Sequence, residues 1–248
     1  MDLSEETGLT PVAPLILRTA RLVLRPLQDA DWPDLARIGG QPEVARMMAS
    51  LCAPWAEADV RAWIARSRWR GRLGFRLAVC LPDGTLIGTV GIGPEAKPSC
   101  AYFIDPAHAG QGYATEAMQA LLADAIPRFA LTEIDADHFA DNPASGRVLR
   151  KLGFAKTGTG TGTSGARDGP APMVTYRWTQ GGGDGSGWPA SARLITLPAT
   201  APVRCRSSAG RHARRHLGWH SQALRKCRRC SDRPASATRA QQRGAPRP

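Results

Sequence analysis

Apolar and polar residues alternate through ARLVLRPL at 20–27, the two-residue period of a strand with one buried face. The period then lengthens. Asp29, Asp31, Trp32 and Pro33 open a helical stretch carrying Leu35 and Ile38, and after Gly39 and Gly40 it continues with Val44 and Met47. In AEADVRAWIARSRWR (56–70), Val60, Trp63 and Ile64 line one helical face and arginines make the solvated remainder. GFRLAVCLPDGTLIGTVGIGP (74–94) returns to strand-like runs, joined at Pro82-Asp83-Gly84 as a hairpin. A further run, SCAYFIDP (99–106), precedes a helix over 113–129 whose apolar side holds Ala117, Met118, Leu121, Leu122 and Ile126. LTEIDADHF (131–139) reads as a strand, and 144–152 as a short helix entered through Asp141-Asn142-Pro143 and closed by Gly153. Two last strands, 154–159 and 173–178, flank the Gly/Thr-rich TGTGTGTSGARDGP. This order predicts an α/β (α+β) domain, a mixed twisted sheet of about six to seven strands with helices on both sides.

Charge is distributed unevenly along the 248 residues. The net charge of +12 and pI near 10.3 resemble those of a nucleic-acid binder. Of the 33 Lys and Arg, however, 14 lie in 181–248, with only Asp184 and Asp232 of the 21 acids, so the first 180 residues hold 19 of each sign. The linker-like GGGDGSG at 181–187 begins an Arg/Ala/Ser/Pro/Gly-rich tail without apolar period, expected to be disordered. That composition fits a basic extension and equally an out-of-frame reading of a GC-rich gene. Three domains of behaviour follow: a flexible 1–16, a folded 17–180 and the tail 181–248. No run reaches the ~18 apolar residues of a membrane span. The acidic MDLSEETGLTPVAP lacks the features of a secretory signal, and Cys80 and Cys100 sit in apolar runs as buried thiols, so a cytoplasmic setting is expected.

The chemistry concentrates at 106–117, PAHAGQGYATEA. Gly110 and Gly112 permit close backbone approach, and Ala114, Thr115, Glu116 and Ala117 begin a helix whose N–H groups could converge on an anion. A tight strand-to-helix turn without a ligand gives the same pattern. The surroundings decide between them: TARLVLRPL upstream, Gly-x-Gly-Tyr-Ala-Thr-Glu-Ala, then NPASGRVLRKLGF (142–154). This set, in this order, resembles the GNAT superfamily of acetyl-CoA-dependent N-acetyltransferases, and within it the Rim-type ribosomal-protein branch, over 17–180.

The resemblance implies a sheet whose fourth and fifth strands splay, with pantetheine of acetyl-CoA paired to the fourth. Phe103, Ile104 and Asp105 are then the backbone partners, and Ala107, His108, Ala109, Gly110, Gln111, Gly112, Tyr113, Ala114 and Thr115 wrap the pyrophosphate. Ala107 and Ala109 stand where relatives often carry Gln, Arg or Trp. Many relatives place a tyrosine in the closing helix as donor to the departing sulfur, but 142–153 contains none. The Rim-type pattern puts Ser145 in that role and lets Asn142 contact pantetheine; both also suit helix capping. His138, at the end of the fifth strand, is the candidate general base. Glu133, Asp135 and Asp137 share the other strand face, either attracting a cationic amine or simply solvated. Glu116 favours its helix N-terminus.

The acceptor implied is a primary amine, either a protein N-terminus or a small molecule such as an antibiotic, polyamine or amino acid. A rival reading makes the chain a nucleic-acid binder acting through its tail beside a degenerate GNAT domain, but only Trp188 and Trp219 interleave the arginines. His212, His216 and His220 with Cys227 and Cys230 have zinc-like spacing, yet no apolar residues surround them and no metal is expected.

Overall fold

The structure, a computed structural model, describes residues 12–94, 96 and 98–181. The tail with its His and Cys motifs lies outside the described residues. Eight strands and five helices follow one another as β1 (Leu17–Arg18), β2 (Val23–Pro26), α1 (Trp32–Gly39), α2 (Pro42–Ala45), α3 (Glu57–Ser67), β3 (Phe75–Cys80), β4 (Leu86–Ile92), β5 (Cys100–Ile104), α4 (Tyr113–Arg128), β6 (Glu133–Phe139), α5 (Pro143–Lys151), β7 (Ala155–Gly162) and β8 (Ala171–Thr179).

The strands form two sheets, β1-β2-β3-β4-β5 and β6-β8-β7, every ladder antiparallel. They meet at a parallel bridge between Ser99 and Asp135, where the Asp135 N–H donates to the Pro98 carbonyl at 2.9 Å. Beyond that point β5 and β6 part. The splay expected between the fourth and fifth strands is thus the seam between β5 and β6, shifted by one because Leu17–Arg18 adds a two-residue strand. That seam also supplies the parallel contact that makes the sheet mixed.

Each face of the sheet has its own core. Leu24, Leu77, Val79 and Val90 point toward α4 and α5, where Met118, Leu121, Leu122 and Leu149 meet them. The alternate residues Ala78 and Cys80, with Phe103, face α1–α3 and pack on Leu35, Ile38, Trp63 and Ile64. Trp55 and Trp63 meet edge to face at 5.2 Å. Leu35, Ile38 and Ile64 are each fully buried, and such a side chain contributes about 1.5–3 kcal/mol. Cys52, Cys80 and Cys100 are buried thiols, and burial pushes that of Cys100 up to about 12.

Two boundaries differ from expectation. Packing begins before residue 17: Leu15 is buried and the Trp69 indole donates to the Ala13 carbonyl at 2.9 Å. The Gly/Thr segment is largely strand, since β7 runs to Gly162. Alternation explains this. Thr157, Thr159 and Thr161 are β-branched and exposed, while Gly162 leaves room for Met173, whose sulfur lies 2.0 Å from where a Cβ would stand. Among the described residues no helix is long and apolar enough to cross a membrane.

Candidate active site

Strand β5 ends in a tied turn. Buried Asp105 accepts the Ala107 N–H at 3.1 Å and Arg37 of α1 at 2.7 Å, setting the 3-10 turn Pro106–His108. Burial works against its carboxylate, but these bonds and the charge of Arg37 outweigh it and hold the pKa below the ordinary carboxylate range. Gly110 (φ +78°) and Gly112 (φ +82°) then take left-handed conformations. Nothing lies within 4 Å of where a Gly110 Cβ would be, so its requirement is conformational and the space above it is open. Gly112 is the N-cap of sixteen-residue α4, and no side chain caps that end. The first α4 bond to it is from the Glu116 N–H, which leaves the amides of Tyr113, Ala114 and Thr115 directed out of the helix end, as an anion cradle requires.

Glu116 does more than favour that end. It accepts the Thr19 hydroxyl (2.6 Å), the Arg21 N–H (3.1 Å) and the Arg21 guanidinium (2.7 Å), bolting the first strands to α4. Arg21 also donates to the Gln111 carbonyl at 3.0 Å and lies over the Tyr113 ring at 4.6 Å. It brings to the loop a cation that Ala107 and Ala109 do not provide. Sequence spacing gave no hint of it, because 90 residues separate Arg21 from Gln111.

Hydrogen-bond alternation along β5 decides which backbone groups face the seam. Gly93 N–H donates to Ser99 and Asp105 N–H to Ile87, so the odd-numbered residues from 99 to 105 pair with β4. Cys100, Tyr102 and Ile104 present their amides and carbonyls toward β6 instead. The expectation for Phe103 and Asp105 is therefore corrected: their N–H groups are spent on β4, whereas the backbone groups of Tyr102 and Ile104 face the seam.

Helix α5 approaches this seam from the α4 side. Asn142 caps it, accepting the Ser145 N–H at 3.2 Å, so its Oδ1 is engaged in the helix and its NH2 holds the remaining donors. The Ser145 Oγ stands 2.7 Å from the Tyr102 hydroxyl, which also donates to the Ser145 carbonyl at 3.2 Å. Burial raises the Tyr102 pKa, so the phenol stays protonated. Seen along the sequence, 142–153 lacks a tyrosine; in space Tyr102 brings one to the same turn from β5.

Glycine permits that approach. A Cβ on Gly146 would lie 2.7 Å from the His138 Nε2 and 3.2 Å from the Tyr176 hydroxyl. His138 is 8% exposed, on the face of β6 shared by Ile134 and Ala136, with Nδ1 at 2.8 Å from the Phe139 carbonyl. Its Nε2 is buried against α5 without a partner. The imidazole is thus packed beneath α5, between Gly146 and the Tyr176 ring.

Residues 21–155 match the acetyltransferase (GNAT) domain. The chain belongs to the GNAT acetyltransferase family. It is 31% identical over 153 residues to the uncharacterized N-acetyltransferase YoaA of Bacillus subtilis, spanning 58% of this chain and 84% of YoaA. Solved GNAT structures share the fold: an acetyltransferase of Bacillus anthracis (20% identity, TM-score 0.58, 66% of this chain and 98% of that one). Another is RimL, the ribosomal L7/L12 α-N-protein acetyltransferase in complex with coenzyme A (16% identity, TM-score 0.57, 66% and 98%).

In this GNAT domain the opposite face of the seam looks toward α1–α3. Of its carboxylates, Glu133 and Asp135 hold Arg177 of β8 at 3.2 and 2.8 Å, a cross-strand pairing that accounts for them. Asp137 is exposed on the same face. Asp141 binds Arg46 (2.6 Å) and Arg167 (2.8 Å), tying the segment after α2 and the β7–β8 connection to the entry of α5. Among the described residues no group of three His, Cys, Asp or Glu could hold a metal ion.

Proposed function

We propose that the domain transfers acetyl from acetyl-CoA directly to a primary amine, the N-terminal amine of a protein. The observation that supports this most is the β5/β6 seam, with gap-facing amides on one edge and the Tyr102–Ser145 pair beside it. Acetyl-CoA supplies an acetyl group activated as a thioester. Amides of Gly110, Gln111, Gly112, Tyr113, Ala114 and Thr115 would hold its pyrophosphate, with Ala107, His108 and Ala109 shaping the loop and Arg21 adding charge. Tyr102 and Ile104 would pair with pantetheine, and an amide from this edge would stabilise the carbonyl oxygen as it gains charge. Asn142 would reach the same arm through its NH2.

On the acceptor side the ammonium sheds its proton to solvent, and the neutral nitrogen attacks the thioester carbon. A C–N bond forms and the C–S bond breaks; the second proton of the attacking nitrogen passes to solvent, and Ser145 Oγ gives its proton to the departing sulfur and is reprotonated from solvent, with Tyr102 orienting that hydroxyl. All these residues lie within 17–180, to which we assign the activity. An acetyl-CoA turnover screen over N-terminal peptides, aminoglycosides and polyamines tests the reading: peptides should be acetylated, and turnover confined to small amines would replace the protein acceptor by a small molecule. Removing 182–248 should leave that turnover unchanged.

A further inference from the structure

Arg76 is anomalous. It lies on the α3-facing side of β3, half-buried, in the row that pairs Arg76 with Gly91 and Gly91 with Ala101. A Cβ on Gly91 would fall 2.4 Å from the Arg76 Cγ, so only glycine there lets the side chain cross β4. Its guanidinium reaches the Ala101 carbonyl at 3.3 Å and lies 5.2 Å from the Trp63 ring centroid. Both contacts are neutral. No carboxylate among the described residues forms an ion pair with it, and burial, with the charge of Arg66 adding to the effect, brings its pKa down to about 10. Arg66, on α3, is lowered by burial as well, with Asp59 acting on it at longer range.

The half-buried guanidinium spends one of its five donors on the Ala101 carbonyl and has four left to offer an anion. Here it borders a cavity of about 310 Å³, lined also by Arg66, Ser50, Ser67 and Ser99. That volume is at the lower end for a small-molecule site. The cavity's position gives it meaning. Ala101 and Ser99 form its wall, and Ser99 makes the bridge to Asp135 from which the seam opens. Tyr102, the next residue after Ala101, turns its backbone into the seam and its hydroxyl to Ser145 on the other face. An anion on Arg76 thus lies beside the strand that borders the seam, on the face opposite the Tyr102–Ser145 pair.

We infer that this cavity is the acceptor's anion site: the amine that is acetylated carries a carboxylate a few bonds away, clamped by Arg76 in the bidentate manner guanidinium favours, with Arg66 at the rim. The inference rests on the acetyl-transfer reading above. The carboxylate has two sources, the side chain of an acidic first residue of a peptide or the α-carboxylate of a free amino acid.

The test compares peptides starting with Asp or Glu against Asn or Gln counterparts, and free amino acids against their amides. In the native chain kcat/KM should favour the carboxylate member at least about tenfold. In Arg76→Gln that ratio should fall toward one, and in Arg76→Lys it should be partly kept; Arg66→Gln, at the exposed rim, should reduce it less and serves if Arg76→Gln does not fold. The pair showing the larger ratio identifies the source. A binding measurement needs no turnover: N-acetylglutamate, which lacks the amine, should bind the native chain and lose affinity about tenfold in Arg66→Gln or Arg76→Gln. Amide acceptors serving as well as acids, with N-acetylglutamate unbound, would overturn the site. Bound N-acetylglutamate without any amine turnover would instead keep the site and fail the acetyl-transfer reading.

Discussion

On the α4–α5 face of the split sheet the groups proposed to bind acetyl-CoA are almost all backbone: amides at the head of α4, amides and carbonyls of Tyr102 and Ile104, and two glycines that shape them. On the α1–α3 face they are side chains, Arg76 and Arg66 with three serine hydroxyls around a small cavity. A cofactor that never changes can be met by main-chain geometry, which depends on where glycine stands. An acceptor is distinguished by charge and size, which only side chains supply. The two faces should therefore fail in different ways when altered.

Conformation is the weak point of the backbone-built face, so the largest effect should come from Gly112→Val. A β-branched residue cannot take φ +82°, and its side chain would also meet Arg21, whose Nη2 lies 3.5 Å from the Cβ position. Acetyl-CoA binding by calorimetry should be lost. Gly110→Ala, with φ +78° but open space around it, isolates the conformational part and should weaken binding less. Retained nanomolar-to-micromolar affinity in Gly112→Val would show that the loop amides do not hold the cofactor.

Ser145→Ala should lower kcat by about 100-fold, the lower end of the range for removing a proton donor, while acetyl-CoA affinity changes little. Tyr102→Phe keeps the ring on its β5 site and removes the hydroxyl 2.7 Å from Ser145; its loss in kcat should be smaller than that of Ser145→Ala. Equal affinity losses with unchanged kcat in both would return the pair to holding α5 against β5.

Much of the fold was legible because period and punctuation agree locally. The PDG hairpin, the amphipathic 113–128 helix and the NPASG cap need only neighbours within a few residues. So did the loop, since a Gly-x-Gly before a helix start is a short-range pattern. The Gly/Thr run hid a strand because glycine reads as a breaker, and the Met173 that requires it is eleven residues away. Site residues that arrive from elsewhere left no trace: Tyr102 stands in a strand where any aromatic fits, Arg21 in the exposed bend between β1 and β2, and Arg76 in an apolar run where its partner is a glycine on the next strand. The burial of His138 was legible. Strand alternation alone places it with Ile134 and Ala136, and therefore inside.

The junction between the backbone-built cradle and the first strands offers the smallest and most specific test, because a single carboxylate joins them. Burial opposes the charge of Glu116, but the hydroxyl of Thr19 and the donors of Arg21 outweigh it, so its folded pKa lies below the ordinary value. A depressed pKa contributes stability that is fully present above the unfolded value, near 4.3, and is lost as pH falls through the folded one. Glu116→Gln removes the charge but keeps an acceptor for Thr19. Its melting temperature should sit about 2–6 °C below that of the native chain at pH 7. The gap should close as pH falls below about 4.5, where the native carboxylate protonates and the two chains become alike. A gap that does not narrow as pH falls would mean that shape rather than charge joins Glu116 to Arg21, and with it that the cation beside the loop is held by the Gln111 carbonyl and by stacking on Tyr113.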